Sequence, residues 1–125
     1  MANLLKPIAY LQDSDFDNQG NLINPDISKS IPVVIMIQAS FCGHCNTAKP
    51  AFQEFANMND GKVFCATIQG DGKEKGEPEL SKRLDMICPD FKGYPSYVGY
   101  KNGKRVAVHD GGRDVKSLEE FVNKL

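Results

Sequence analysis

Residues 33–37, Val-Val-Ile-Met-Ile, form a continuous apolar run that constrains the fold more than any other segment. A strand that is apolar on both faces is typical of the middle of a sheet that helices cover on both sides. Pro32 interrupts the longer apolar stretch of residues 31–37, and a membrane helix needs about 20 apolar residues. The run therefore predicts the central strand of an α/β protein rather than a membrane span.

Other patterns place helices and strands around this strand. A first strand is predicted at residues 7–11, and one helical turn at residues 26–30. Apolar residues at helical spacing predict an amphipathic helix over residues 45–58, kinked by Pro50. Its apolar face is Ala48, Ala51, Phe52, Phe55 and Ala56. The segments that follow are a strand at 63–68, a charged loop at 71–76 and a short helix at 77–84.

A hairpin is predicted near the end of the chain. Asn102-Gly103 separates two strand-like runs, residues 96–101 and 104–109. Asn-Gly in that setting is typical of a type I′ turn. Antiparallel pairing is therefore expected between the last two strands.

A final helix is predicted from Ser117 to Leu125, because Ser117 and Glu120 have the spacing of a capping box. The complete order is then β-α-β-α-β-α-β-β-α. It predicts an α/β fold in which about four helices flank a central mixed sheet of about five strands. The sheet is expected to be parallel at first and antiparallel at its end.

Charge and size exclude several classes of protein. Fifteen Lys and Arg residues against sixteen Asp and Glu give a net charge of -1, whereas nucleic-acid binders usually carry a basic excess. The 125 residues, 41% of them apolar, suffice for one compact core. We expect a single domain over residues 1–125, a monomer that binds neither nucleic acid nor membrane.

Neither end of the chain carries a targeting pattern. Residues 1–10 lack an apolar stretch of the length that a secretory signal needs, and residues 121–125 are not an ER-retention signal. We therefore expect a cytoplasmic protein. Four cysteines are too few for a disulfide scaffold, and closely spaced cysteines in a reducing compartment indicate redox chemistry or a metal.

The tetrad Cys42-Gly43-His44-Cys45 follows the buried strand and begins the predicted helix. Unpaired N–H groups and the dipole at a helix N-terminus favour negative charge and lower the pKa of a thiol there. Cys42 is expected to attack as a thiolate, and Cys45, one turn further on, to resolve the mixed disulfide. A protonated His44 would favour the thiolate and make the pair a better oxidant. Half of a zinc site is the alternative, but it needs two more ligands.

Further segments match one family in the same order. They are Pro50, Gly93-Tyr94-Pro95-Ser96, Lys101-Asn102-Gly103-Lys104, Gly111-Gly112-Arg113 and Asp13-Ser14-Asp15-Phe16. Over nearly its whole length the chain resembles the thioredoxin fold family, and its Cys-Gly-His-Cys tetrad is the form typical of protein disulfide isomerase domains. The resemblance implies a thioredoxin fold and thiol–disulfide exchange with protein substrates.

The resemblance also implies a substrate-binding role for Pro95, Tyr94 and Phe41. The family's proline in this segment is cis and faces the two cysteines, so Pro95 is expected to be cis. A cis X-Pro bond exposes neighbouring backbone groups that can pair with an extended substrate. Phe41 stands where the family usually has Trp, which keeps an apolar wall but removes the indole N–H.

Two buried charges of the family are missing. Met36 stands where the family has an acid that moves protons for the resolving thiol, and Thr67 stands where a lysine pairs with that acid. The absence of both the acid and the lysine makes physical sense, because either one without the other would be an unpaired buried charge. We expect water or His44 to serve Cys45 instead, a slower resolving step, and a faster one in Met36→Glu. Lys92 matches an isomerase arginine that tunes the resolving thiol, without its fork geometry.

Two features admit more than one interpretation. Cys65 is expected to be a small buried hydrophobe, whereas Cys88 could be a third redox-sensitive thiol, and a disulfide between them stays open. Residues 15–26 partly fit a calcium loop, but the ninth position is apolar and the twelfth is the shorter Asp. We expect a solvated loop and no metal.

The sequence thus predicts a protein disulfide oxidoreductase of isomerase or oxidase character that needs no cofactor. Its electron partner would be glutathione or another oxidoreductase. A thioredoxin-type reductase and a non-catalytic binding module are the alternatives. His44 indicates the oxidising direction, whereas the missing export signals indicate a reducing compartment, so the direction stays open.

Overall fold

A computed structural model describes residues 3–27 and 29–125 of the protein. The strands are β1 (Ala9–Tyr10), β2 (Val33–Gln38), β3 (Phe64–Gln69), β4 (Ser96–Lys101) and β5 (Lys104–His109). The α-helices are α1 (Gly43–Met58), α2 (Glu77–Ser81), α3 (Leu84–Ile87) and α4 (Val115–Asn123). Within the described residues, every helix is too short or too polar to cross a membrane.

The strands form one mixed sheet in the order β1-β3-β2-β4-β5. β2 lies at its centre with every residue buried, because neighbours pair along both of its edges and apolar clusters cover both of its faces. It runs parallel to β3 and antiparallel to β4. The sequence prediction of a central strand in a mixed α/β sheet is therefore confirmed.

The two faces of the sheet have separate cores. On one face, Met36 packs in a cluster with α1 and α4 that includes Cys45 and Phe52. On the other, Ile35 and neighbouring apolar residues pack against α2, α3 and the loop before β2. The redox tetrad thus lies on the α1 and α4 side, where β2 leads into α1.

The predicted hairpin is present, and both turn residues have positive φ, at 56° for Asn102 and 79° for Gly103. These angles are those of a type I′ turn, which Asn-Gly adopts at low cost. A side chain at Gly103 would also meet the Leu22 carbonyl oxygen. β4 and β5 therefore pair as the dipeptide predicts, with one irregularity between Gly99 and Tyr100.

Two predicted helices are different in the structure. The helix expected at 77–84 is divided into α2 and α3, because Arg83 leaves helical geometry and binds the loop at residues 13–17. The helix expected at 26–30 is a turn in which the Ile27 N–H donates to the Asn24 carbonyl, and Ser28 lies outside the described residues.

The last helix begins before Ser117. Asp114 is its N-cap, and its carboxylate accepts a hydrogen bond from the Ser117 N–H at 2.9 Å. Ser117 is therefore the third residue of the helix rather than its cap. A carboxylate satisfies the unpaired N–H groups at a helix start as well as a hydroxyl does, so the expected capping box was wrong by one turn.

Candidate active site

Cys42 and Cys45 form a disulfide at the start of α1, with Cα atoms 5.2 Å apart. Cys42 is the N-cap, and its Sγ accepts a hydrogen bond from the Cys45 N–H at 3.0 Å. This N–H is one of those that a helix leaves unpaired at its N-terminus. The same N–H and the helix dipole would stabilise a Cys42 thiolate once the disulfide is reduced.

The two sulfur-bearing residues differ in exposure. Cys42 is partly exposed, whereas Cys45 is fully buried in the α1 core. Gly43 and His44 between them are exposed, and nothing lies within 4 Å of where a Gly43 Cβ would be. An external thiol or disulfide therefore reaches Cys42 and not Cys45.

Pro95 lies at the edge of the sheet from which the tetrad emerges. The Tyr94–Pro95 peptide bond is cis, and the next residue, Ser96, pairs with Ile37 near the end of β2. The Ser96 hydroxyl donates to the Gly93 carbonyl at 2.6 Å, which closes this loop. β2 and β4 thus bring the tetrad and the proline segment to the same end of the sheet.

Three aromatic rings extend from the tetrad along this edge. Phe41 is 73% exposed. Its ring meets that of Tyr94 edge to face at 5.7 Å, and Tyr94 meets Phe91 in the same way at 5.2 Å. Phe91 was not predicted from the sequence as a site residue. Together the three rings form an apolar surface beside Cys42.

Asp71, which the sequence placed only in a charged loop, fixes the segment before the tetrad. Its carboxylate accepts hydrogen bonds from the Ser40 hydroxyl and, at 3.0 Å, from the Ser40 N–H. Although burial works to raise it, these bonds and one from Gln69 hold the pKa of Asp71 below its ordinary value. Asp71 thus remains charged and holds the loop that carries Phe41 and Cys42.

Tyr94 packs over Gly70, where a side chain would collide with the Tyr94 hydroxyl. Glycine at this position therefore lets the Tyr94 ring approach the backbone after β3. Burial and, to a smaller extent, the Asp71 charge raise the pKa of Tyr94. The tyrosine stays neutral and can act as an apolar wall with a hydroxyl at its tip.

Met36 and Thr67 are directly paired across β2 and β3, as their proposed register required. Both are fully buried. The Thr67 hydroxyl donates to the Met36 carbonyl at 2.8 Å and accepts from the Gln38 amide at 3.3 Å. Two uncharged residues joined by a hydrogen bond therefore occupy the positions where, by the resemblance, the family has a buried acid and a lysine.

Lys49 is a buried cation that the sequence interpretation missed. It lies on the buried face of α1 with Cys45, Phe52 and Ala56, and is 7% exposed. Ala51, assigned to that face from the sequence, is only half-buried. The signal was available, because Lys49 lies four residues after Cys45 and three before Phe52, which places it on their face of the helix.

The other predicted thiols are buried and free. Cys65 packs on the α1 face of the sheet and Cys88 on the opposite face, so the disulfide left open between them does not form. Burial, aided by Asp60, raises the pKa of the Cys65 thiol to about 12. Burial likewise raises the pKa of Cys88. Lys92 is exposed, close in sequence to Tyr94.

The acidic loop at residues 15–26 is held by its own amides. Asp17 Oδ1 accepts hydrogen bonds from the N–H groups of Gln19 and Asn21, and Asp15 accepts from Gln12 and Asn24. Its carboxylates thus bind N–H groups of the chain. Among the described residues, no cluster of three or more His, Cys, Asp or Glu side chains is placed to hold a metal.

Comparison with known protein sequences gives a consistent result. The family model described as Thioredoxin matches residues 8–124. A protein named as thioredoxin-like, 453L of Invertebrate iridescent virus 6, is 46% identical over 129 aligned residues, covering 94% of this chain and 91% of that protein. Protein disulfide-isomerase 2-3 of Arabidopsis thaliana is 27% identical over 118 residues, covering 94% of this chain and 23% of that protein.

Solved structures show the same architecture. Human ERp44 in its form II crystal superposes with a TM-score of 0.69 at 18% identity. The match covers 98% of this chain and 31% of that one. At this identity the likeness concerns the fold alone, and it confirms the fold class expected from the sequence.

Proposed function

Because this chain belongs to the thioredoxin family of thiol–disulfide oxidoreductases, we propose that it exchanges disulfides with protein substrates as an oxidase or isomerase. The observation that carries the proposal is the asymmetry of the disulfide. Cys42 is partly exposed at the N-cap, with an N–H on its sulfur, whereas Cys45 is fully buried. One sulfur is thus placed to meet substrates, and the other to meet only its partner.

In the oxidising direction, a substrate thiolate attacks Cys42 Sγ and the Cys42–Cys45 bond breaks. Cys45 leaves with the electron pair and takes up a proton. A second substrate thiolate then attacks the substrate sulfur of the mixed disulfide, and Cys42 leaves as the thiolate. The substrate is oxidised by two electrons and the pair is reduced. Isomerisation starts instead from the reduced pair, when Cys42 attacks a substrate disulfide.

Whether the Cys42–Cys45 pair oxidises or reduces its substrates depends on how strongly the reduced form of the pair is stabilised. The helix N-terminus and an exposed His44 favour the Cys42 thiolate over the disulfide, and a stabilised reduced form makes a pair more oxidising. No buried carboxylate opposes them at position 36, since Met36 lies there. These features support the oxidase or isomerase direction.

An extended segment of the substrate would lie along the edge formed by Pro95. Pro95 has no N–H, and the pairing of β4 with β2 brings the Tyr94–Pro95 segment to the end of the sheet at which the tetrad lies. The rings of Phe41 and Tyr94 would bind apolar side chains flanking the substrate cysteine. Glutathione or another oxidoreductase would reset the pair, and the chain would act as a monomer.

The test is reactivation of scrambled ribonuclease by the reduced protein in a glutathione buffer. We expect reactivation by the intact chain, and accumulation of mixed disulfides on Cys42 in Cys45→Ala, since that variant cannot resolve them. Cys88→Ala is the matched control and should behave as the intact chain. Failure of the intact chain to reactivate ribonuclease would contradict the proposal.

A general reductase of thioredoxin type is the second candidate. It is favoured by the 46% identity to a protein named as thioredoxin-like. Reduction of insulin disulfides without reactivation of scrambled ribonuclease would support it over the isomerase.

A further inference from the structure

Lys49 lies one helical turn after Cys45 on the same face of α1. Long side chains on a helix run back toward its N-terminus, so the Lys49 side chain extends toward the turn that holds Cys45 and Asn46. It lines a groove between α1 and residues 3–5 that also includes Asn46. The cation is therefore at the level of the buried cysteine rather than at the far end of the helix.

In the described part of the chain, no carboxylate forms a close ion pair with this cation. Among the described residues, the one ion pair within 4.0 Å joins Arg83 to Asp13. The charge of Lys49 interacts only at longer range with Asp71, which lies beside the segment leading to Cys42. Burial lowers the pKa of Lys49, and Asp71 partly offsets that effect. A buried cation without a close counter-ion gains most when an anion forms nearby.

We infer that Lys49 stabilises the thiolate of Cys45 while the mixed disulfide on Cys42 is resolved. This inference rests on the proposed thiol–disulfide exchange and adds a residue to it. It also answers how Cys45 can ionise beside Met36 and Thr67, neither of which carries a charge. Lys49 on α1 supplies a positive charge, which Met36 on β2 and Thr67 on β3 do not carry.

The other titratable groups around Cys45 do not provide that charge. In the core cluster, β3 contributes Cys65 and β4 contributes Tyr97, and burial raises the pKa of each to about 12. Both are neutral near pH 7. The residues of β2 and α4 in this cluster are apolar, and His44 is exposed. Asp71 is negative and would oppose a thiolate, so among the described residues Lys49 is the buried group with the required sign.

The resolving step involves only the protein, its substrate and water. Cys45 gives its proton to water, and its sulfur forms a bond to Cys42 Sγ. The bond from Cys42 to the substrate sulfur breaks, and that sulfur leaves with the electron pair. Lys49 keeps its proton throughout and lowers the cost of the charge on Cys45.

The experiment is a stopped-flow reaction of the fully reduced protein with dithionitrobenzoate, which releases a coloured thiolate at each of two steps. The first release reports attack by Cys42, and the second reports attack by Cys45 on the mixed disulfide. The variants are Lys49→Met, Lys49→Arg as the charge-keeping replacement, and Lys62→Met as the same change at an exposed lysine. Each is followed as a function of pH.

We expect Lys49→Met to slow the second release about tenfold at pH 7 and to move its pH midpoint up by about one unit, since an opposite charge shifts a thiol pKa by at least that amount. The first release should be unchanged, Lys49→Arg should restore the profile, and Lys62→Met should have no effect. Met keeps the unbranched apolar stem of Lys49 without its charge, so we expect the variant to fold and to be open to assay.

Two results would overturn the inference. One is an unchanged pH midpoint for the second release in Lys49→Met. The other is a slower second release in Lys49→Met that Lys49→Arg does not restore, because this indicates packing rather than charge. If the intact chain shows no first release, Cys42 does not attack. The proposed function, on which the inference rests, is then itself wrong.

Discussion

The molecule has two kinds of cysteine, which differ in their surroundings. One kind is the disulfide-bonded pair at the start of α1, and the other is the two free cysteines buried in the cores. Cys45 and Cys65 belong to the same apolar cluster, and both are almost fully buried. Cys45, however, is bonded to a partly exposed sulfur at a helix N-terminus, whereas Cys65 lies within a strand with no sulfur to meet. Access through Cys42, rather than burial alone, therefore separates a redox thiol from a structural one.

The largest predicted effect is on turnover. Cys42→Ser should reduce ribonuclease reactivation to the uncatalysed level, because it removes the nucleophile that substrates can reach. Cys65→Ser should keep turnover within about twofold of the intact chain while lowering stability by about 1–2 kcal/mol, since it buries a hydroxyl. Turnover assays and urea unfolding check the two variants. A strong loss of turnover in a Cys65→Ser protein that is still folded would show that Cys65 is not merely a structural thiol.

The next effect is on alkylation of the reduced, native protein. At pH 7.5 a thiol with a pKa of about 12 is ionised to less than about 10⁻⁴. Iodoacetamide should therefore modify Cys42 at least about a thousandfold faster than Cys65, as followed by mass spectrometry of peptides. Cys88 should also react more slowly than Cys42, because it is buried and burial raises the pKa of its thiol. Comparable rates at Cys88 would show that its burial in the opposite core does not protect it.

A smaller effect is expected at Met36, which packs in one cluster with both Cys45 and Cys65. Met36→Glu should speed the resolving step by about two- to tenfold, because a carboxylate there can accept the Cys45 proton. It should also cost about 2–3 kcal/mol of stability through burial of a polar group. Met36→Gln is the matched control, and an equal rate in both variants would dismiss a proton-accepting role.

Much of the site could be predicted because its signals are local. Val33 to Ile37 form an apolar run, Asn102 and Gly103 adopt a turn that few other dipeptides tolerate, and the two cysteines lie one turn apart at a helix start. Each of these depends on neighbours within a few positions. The α/β class and the redox pair followed from them, whereas the thioredoxin fold was expected from the family resemblance.

The misses depend on contacts between distant segments. Arg83 divides a helix because it binds carbonyl and carboxylate oxygens of the loop at residues 13–17, which the local pattern does not contain. The spacing of Lys49 places it on the helix face of Cys45 and Phe52, but the groove that it lines with residues 3–5 depends on a distant segment. From the sequence, Asp71 is a charged residue in a loop, and only the fold brings its carboxylate to the Ser40 N–H.

The most direct test of the account is the reduction potential of the Cys42–Cys45 pair. It is measured by equilibration in glutathione buffers, acid quenching and alkylation, with the mass shift reporting the reduced fraction. We predict a value of about -180 mV, in the range of disulfide isomerases. A value of about -270 mV, that of thioredoxin, or no equilibrium with glutathione at all, would overturn this prediction.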